Sequence, residues 1–239
     1  AARQRVVALQ KGEPQTYSIW QALVQCSQQH FQQIYEMLDI SLTLDDVRGE
    51  SAYNDELPKV IKALDKQGML RESQGAQCVF LEGFTGQDDE PLPLIVRKSD
   101  GGFLYATTDL AALRYRVDQL KADRVIYVTD ARQQQHFSMV FAAGREAGFA
   151  PEAVRLDHVP FGMVLGEDRK PFKTREGGTI ELAALLRVAQ QRAMAIVQER
   201  SQNLDEADQQ AVARAVGTGA IKYADLVNDR LRDYVFNWN

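Results

Sequence analysis

Cysteine is scarce: Cys26 and Cys78 are the whole supply in 239 residues. Two thiols cannot build a disulfide framework or a structural zinc site alone, which fits a reducing cytoplasm. Histidine is nearly as rare, with His30, His136 and His158 far apart in the chain. No apolar run approaches the roughly 20 residues that span a bilayer, so no membrane partner is expected. An excess of positive charge is also missing: 28 Lys+Arg against 33 Asp+Glu leave a net charge of -5. That excludes a chain built to coat nucleic acid, although a local basic patch can still meet phosphate. What is present is average, with 45% hydrophobic and 26% charged residues, and disordered and collagen-like classes drop out. The length suits one large domain or two small ones.

The segment opens on Ala1-Ala2-Arg3-Gln4-Arg5-Val6-Val7, already helix-like, and closes on the aromatic run Tyr234-Val235-Phe236-Asn237-Trp238-Asn239. Natural termini more often fray into polar residues, so the chain reads as a piece of a larger protein.

Helical spacing dominates the first 70 or so residues. Ile19, Leu23, Cys26, His30, Ile34, Met37 and Leu38 keep the i, i+3/i+4 rhythm of one helix face. After Gly49-Glu50-Ser51 a shorter helix is expected through Leu57, Val60, Ile61 and Leu64, stopped by Gly68. Short strands follow at Cys78–Leu81 and Leu94–Val96, and Asp100-Gly101-Gly102 reads as a hairpin-type turn into Phe103-Leu104-Tyr105. Thr107 or Thr108 then caps a helix through Leu110, Leu113, Val117 and Leu120. Arg124–Val128 is a compact apolar strand, about Gln134 to Ala147 a helix, and Val154–Leu165 strand-like again. This alternation reads as βαβ units with a parallel sheet. A last helical third carries the stripe Leu182, Leu185, Leu186, Ala189, Ala193, Ile196 and Val197, then a helix around Gly217-Thr218-Gly219.

Ligands of open α/β sheets bind outside the carboxyl ends of strands, and three such ends carry unusual polar residues. Tyr105 is read as ending a strand and Asp109 as lying in the first helical turn, where it either faces a crevice or merely complements the helix dipole. Gln133 follows the strand Arg124–Val128, with His136 one turn on, either structural or functional. Finally, Gly166-Glu167-Asp168-Arg169-Lys170-Pro171-Phe172-Lys173-Thr174-Arg175 groups basic residues in a loop that suits a polyphosphate, or is an ordinary solvated hairpin.

These three segments, together with Gly49-Glu50-Ser51, Phe161-Gly162-Met163-Val164-Leu165-Gly166 and Tyr223-Ala224-Asp225-Leu226, resemble the bacterial arginyl-tRNA synthetase family of class I. The resemblance runs over essentially the whole chain. It implies an α/β fold: the second half of a class I Rossmann-type parallel sheet, with an N-terminal helical/β insertion and C-terminal helices. Residues 1–92 correspond to the connecting insertion, 93–179 to the second Rossmann half, and 180–239 to helices leading toward an anticodon-binding domain. It further implies that Tyr105, Asp109 and Gln133 recognise L-arginine, that His136 lies near the adenosine of ATP, and that Gly162, Met163 and Val164 line the adenine. The stretch Pro171–Arg175 stands where class I enzymes carry Lys-Met-Ser-Lys-Ser, with both signature lysines displaced, so Lys170, Lys173 and Arg175 are given the pyrophosphate charge. Mg²⁺ accompanies ATP, and tRNA(Arg) is the acceptor in the full-length protein.

The His-Ile-Gly-His-type motif that grips ATP phosphates in class I enzymes has no counterpart in these residues, because the histidines are too far apart. The reading is therefore a partial catalytic domain of an arginine–tRNA ligase, inactive by itself. Its alternative is a non-catalytic arginine-binding or docking module derived from a synthetase.

Overall fold

The computed structural model describes residues 12–86, 89–165, 182–201 and 203–235, with 5, 8 and 9. The chain divides into two compact units, Ala1–Val47 with Phe172–Asn228, and Arg48–Pro171 with Asp229–Asn239.

In the first unit, helix α1 (Pro14–Met37) starts where Glu13 accepts hydrogen bonds from the Gln15 and Thr16 amides, with Pro14 preset for the first turn. The expected helix is present, but only the C-terminal part of its expected face is packed, with Ile34, Met37 and Leu38 half-buried. Ile19, Leu23 and Cys26 are exposed, while Trp20, Val24 and Gln28, one or two positions on, are half-buried. Periodicity fixes the helix, whereas tertiary contacts fix which side turns inward. Helices α5 (Leu182–Arg200) and α6 (Glu206–Leu226) pack as a pair in this unit. Their seam is narrower than the expected apolar stripe: Ala183, Leu186, Ala193 and Val197 are buried, but Leu182 and Ile196 are exposed.

Small residues set that seam. A Cβ on Gly217 would lie 2.7 Å from Gln190 Cα and 2.9 Å from Ala189 C, which are backbone atoms unable to swing aside. Beside it Thr218 donates to the Met37 carbonyl at 3.0 Å, joining α6 to the end of α1. Gly217→Ala is expected to push the helices apart and destabilise by about 1–3 kcal/mol, the usual range for overpacking. Thermal melting by circular dichroism reads this as a lower Tm; an unchanged Tm would contradict the close approach.

In the second unit, α2 (Leu57–Lys66) buries Leu57, Val60, Ile61 and Leu64 as expected, and Gly68 at φ 69° ends it. Strands β1 (Leu70–Ser73), β2 (Ala76–Thr85) and β3 (Pro91–Arg97) form an antiparallel sheet. Strand β1 has no counterpart in the sequence reading; its signal is Gln74-Gly75, both at positive φ, which makes the two-residue primed turn of a hairpin.

Phe103-Leu104-Tyr105 is not a strand. Phe103 makes one antiparallel bridge to Arg97, and Tyr105 is the first residue of helix α3 (Tyr105–Asp118). Neither Thr107 nor Thr108 caps that helix; Leu104 stands at the N-cap, and the buried Thr107 hydroxyl donates to the Val96 carbonyl instead. Thr107 is thus spent on tying α3 to β3. Strand β4 (Arg124–Asp130), helix α4 (Gln134–Glu146) and strand β5 (Arg155–Phe161) form the expected parallel βαβ unit, with seven residue pairs from Arg124↔Arg155 to Asp130↔Phe161. The expected strand Val154–Leu165 breaks at Gly162-Met163, and β6 (Val164–Leu165) pairs in parallel with β7 (Tyr234–Val235).

Candidate active site

Strand β4 alternates, with Val125 and Tyr127 buried and Ile126 and Val128 outward, and it delivers Thr129 and Asp130 to its carboxyl end. Asp130 there closes a tight turn. Its Oδ1 accepts from the Arg132 amide at 2.8 Å and from Arg132 Nε at 2.9 Å, and its Oδ2 from Nη2 at 2.8 Å. The Arg132 side chain first, and its amide second, lower the Asp130 carboxyl to about 2. This group contributes stability above the ordinary carboxylate range that is lost as pH falls toward 2. Arg132→Met is expected to return the Asp130 titration to the ordinary range, read by carboxyl NMR shifts; a titration still near 2 would assign the effect elsewhere. The turn ends on Gln133, exposed at the N-cap of α4 with no capping bond from its side chain, so its amide is available to a ligand.

Helix α3 brings Tyr105 and Asp109 one turn apart, hence on one face, with Tyr105 exposed. Asp109 is the fifth residue of the helix, and the first turn holds no acidic side chain, so the dipole-complement role fails on position. The carboxylate instead meets α4: His136 Nε2 lies 2.6 Å from Asp109 Oδ2, with the side chains 29% and 27% exposed. One contact sets the approach of the two helices, and another ties α3 to the sheet. A Cβ on Gly144 would sit 2.5 Å from Leu113 Cδ2, so glycine lets α4 approach α3 without displacing the Leu113 side chain. Arg116 Nη1 donates to the Tyr127 hydroxyl at 3.0 Å, tying α3 to β4; burial pushes the Tyr127 phenol up.

Under α4, His158 Nε2 lies 2.8 Å from Thr129 Oγ1, its ring 5.2 Å from Phe137. Burial lowers its basicity. The sequence reading gives neither Thr129 nor His158 a role in the site, and only the β4–β5 register brings them together.

The segment expected to line adenine is held from a distant part of the chain. Gly162 N–H donates to the Arg230 carbonyl at 2.7 Å, Met163 N–H to Asp233 Oδ1 at 2.6 Å, and Tyr234 N–H to the Met163 carbonyl at 3.1 Å. A Cβ on Gly162 would stand 2.6 Å from the Arg232 carbonyl oxygen, so only glycine fits. Val164 pairs with Tyr234. The sequence offered no signal for Arg230 and Asp233, 68 and 70 positions from Gly162 and Met163 respectively. Lys170, Lys173 and Arg175 lie outside the described residues. Among the described residues no three His, Cys, Asp or Glu side chains group to hold a metal ion, and no helix is long and apolar enough to cross a membrane.

The parallel βαβ unit gathers polar side chains where β4 runs into α4, at the carboxyl end of the strand, where open α/β sheets bind their ligands. Solved structures share this fold. Arginyl-tRNA synthetase from Plasmodium falciparum matches 98% of this chain and 38% of its own, with a TM-score of 0.82 and 31% identity. The Thermus thermophilus enzyme matches 96% of this chain and 42% of its own, at 0.70 and 21%. The family described as "tRNA synthetases class I (R), catalytic domain" matches residues 1–238, and the chain belongs to it. Proteins named arginine–tRNA ligase are 54% identical over 239 residues in Hahella chejuensis and 51% over 238 in Chromobacterium violaceum. Each match takes in 100% of this chain but 41% and 42% of the relative, so the chain spans about two-fifths of their length.

Proposed function

We propose that this chain is the arginine-selecting part of an arginine–tRNA ligase. The reaction joins the arginine carboxylate to the ATP α-phosphate with release of pyrophosphate, then transfers the arginyl group to a hydroxyl of the terminal ribose of tRNA(Arg) with release of AMP. The observation that carries the reading is the half-buried Asp109 carboxylate, one helical turn from Tyr105. A guanidinium is a planar fork of donors with a fixed charge, and a fixed carboxylate accepts it in charge-assisted hydrogen bonds. Tyr105 and Gln133, both exposed, supply polar groups around it. On the nucleotide side we assign Gly162, Met163 and Val164 to the adenine and His136 to the adenosine. The Gly162 amide and both Met163 backbone polar groups are already bonded to the 230–234 segment, so this strand reaches the nucleotide as a braced wall. Mg²⁺ enters with the ATP phosphates.

Residues 1–92 are proposed as the connecting insertion, 93–179 as the second Rossmann half, and 180–239 as helices toward the anticodon-binding domain, in a cytoplasmic enzyme. No observation favours a non-catalytic module, and the relatives' shared name supports the ligase.

Lys170, Lys173 and Arg175 are proposed to stabilise the departing pyrophosphate, a charge that develops in the transition state. Replacing all three with Ala in the full-length protein is expected to lower kcat for arginine-dependent ATP–pyrophosphate exchange at near-constant arginine KM. A raised arginine KM with kcat intact would give these three residues a different role.

A further inference from the structure

We propose that His136 is the positioning residue of the arginine site: its Nε2–H fixes the plane of the Asp109 carboxylate, and arginine reads that plane. The proposal rests on Asp109 being the guanidinium acceptor.

A carboxylate only accepts, so at 2.6 Å the proton between the two groups sits on His136 Nε2. A terminal carboxyl torsion is broad and turns easily when nothing holds it. The His136 bond takes one acceptor site of Oδ2. It leaves the second site of Oδ2 and both sites of Oδ1 for a planar fork, which demands a matching carboxylate plane.

The imidazole is itself held. The Phe137 ring, buried under α4, stands 5.1 Å from it at 77°, edge to face. The Leu113–Gly144 approach and the Arg116–Tyr127 bond fix α3 against α4 and β4. Both partners keep more than a quarter of their side-chain surface open, so the pair is reachable by a ligand. Because Nε2 is already committed to Asp109, the first consequence of losing this histidine falls on arginine, even with its ring beside the adenosine.

The test compares His136→Phe, which removes the donor, with His136→Gln, whose amide can donate, in the full-length protein. ATP–pyrophosphate exchange is measured against arginine, ATP and citrulline, the neutral and nearly isosteric analogue of arginine. With Phe, arginine KM is expected to rise about tenfold, the size of one hydrogen bond to a charged group. Tm is expected to hold, ATP KM to rise less than arginine KM, preference for arginine over citrulline to shrink, and Gln to recover most of the loss. A rise confined to ATP KM, or equal rises for both substrates, overturns the positioning role. Asp109→Asn separates the two failures. If it raises arginine KM while His136→Phe does not, only the positioning role falls. If Asp109→Asn leaves arginine KM unchanged, the arginine reading itself falls.

Discussion

Asp109→Asn is expected to weaken arginine binding by roughly 10- to 150-fold in the full-length protein, the equivalent of about 1.5–3 kcal/mol for a hydrogen bond to a charged group. The substitution keeps shape and keeps an oxygen able to accept from His136 Nε2, so the α3–α4 contact and the fold survive it. What disappears is the negative charge. In a site with only 27% of the side chain exposed, that charge is incompletely screened and pairs with guanidinium more strongly than it would in water. Calorimetry against arginine reads the effect directly. Citrulline has no charge to lose and should bind the variant about as well as it binds the wild type. Equal arginine affinities for variant and wild type would show that the guanidinium is held elsewhere.

The contrast between Asp109 and its neighbours explains what the sequence made legible. The family resemblance pairs Asp109 with Tyr105, and a spacing of four is a local property that survives any misplacement of the helix start. The start itself was misplaced, because Phe103-Leu104-Tyr105 is apolar enough for a strand and Thr107-Thr108 looks like a cap. Tertiary bonding decided otherwise: the Thr107 hydroxyl serves the Val96 carbonyl, and a single Arg97↔Phe103 bridge replaces the strand. The β4-α4-β5 unit was readable from alternation and length alone. Helix faces were less so, since α1 turns Trp20 and Val24 inward rather than Ile19 and Leu23, and no local signal separates those rows. Least readable were contacts between distant positions. His136 and Asp109 were given to different ligands, and only α3–α4 packing joins them. Asp233 reaches Met163 across 70 positions, and nothing in either segment names the other.

The isolated 239-residue chain is expected to give no measurable arginine-dependent ATP–pyrophosphate exchange. It carries the side chains proposed to select arginine and the basic residues Lys170, Lys173 and Arg175, but no His-Ile-Gly-His-type element to converge on the phosphates from the opposite side. Transition-state charge is stabilised by donors already fixed around it in a site that excludes water. Losing one such donor costs about 100- to 1,000-fold in rate, so losing a whole motif should take the reaction below detection. The parallel pair supports the same expectation. Parallel sheets are normally covered on both faces, yet Ile126 is 49% and Val128 63% exposed on the outer face of β4, with Phe161 of β5 also exposed. An apolar sheet face of this kind should make the isolated chain prone to self-association. The deciding measurement adds the remaining part of a full-length relative in trans. Exchange should then appear, and light scattering should report less self-association as the β4 face is covered. Robust exchange by the isolated chain would mean instead that these residues already hold a complete ATP site.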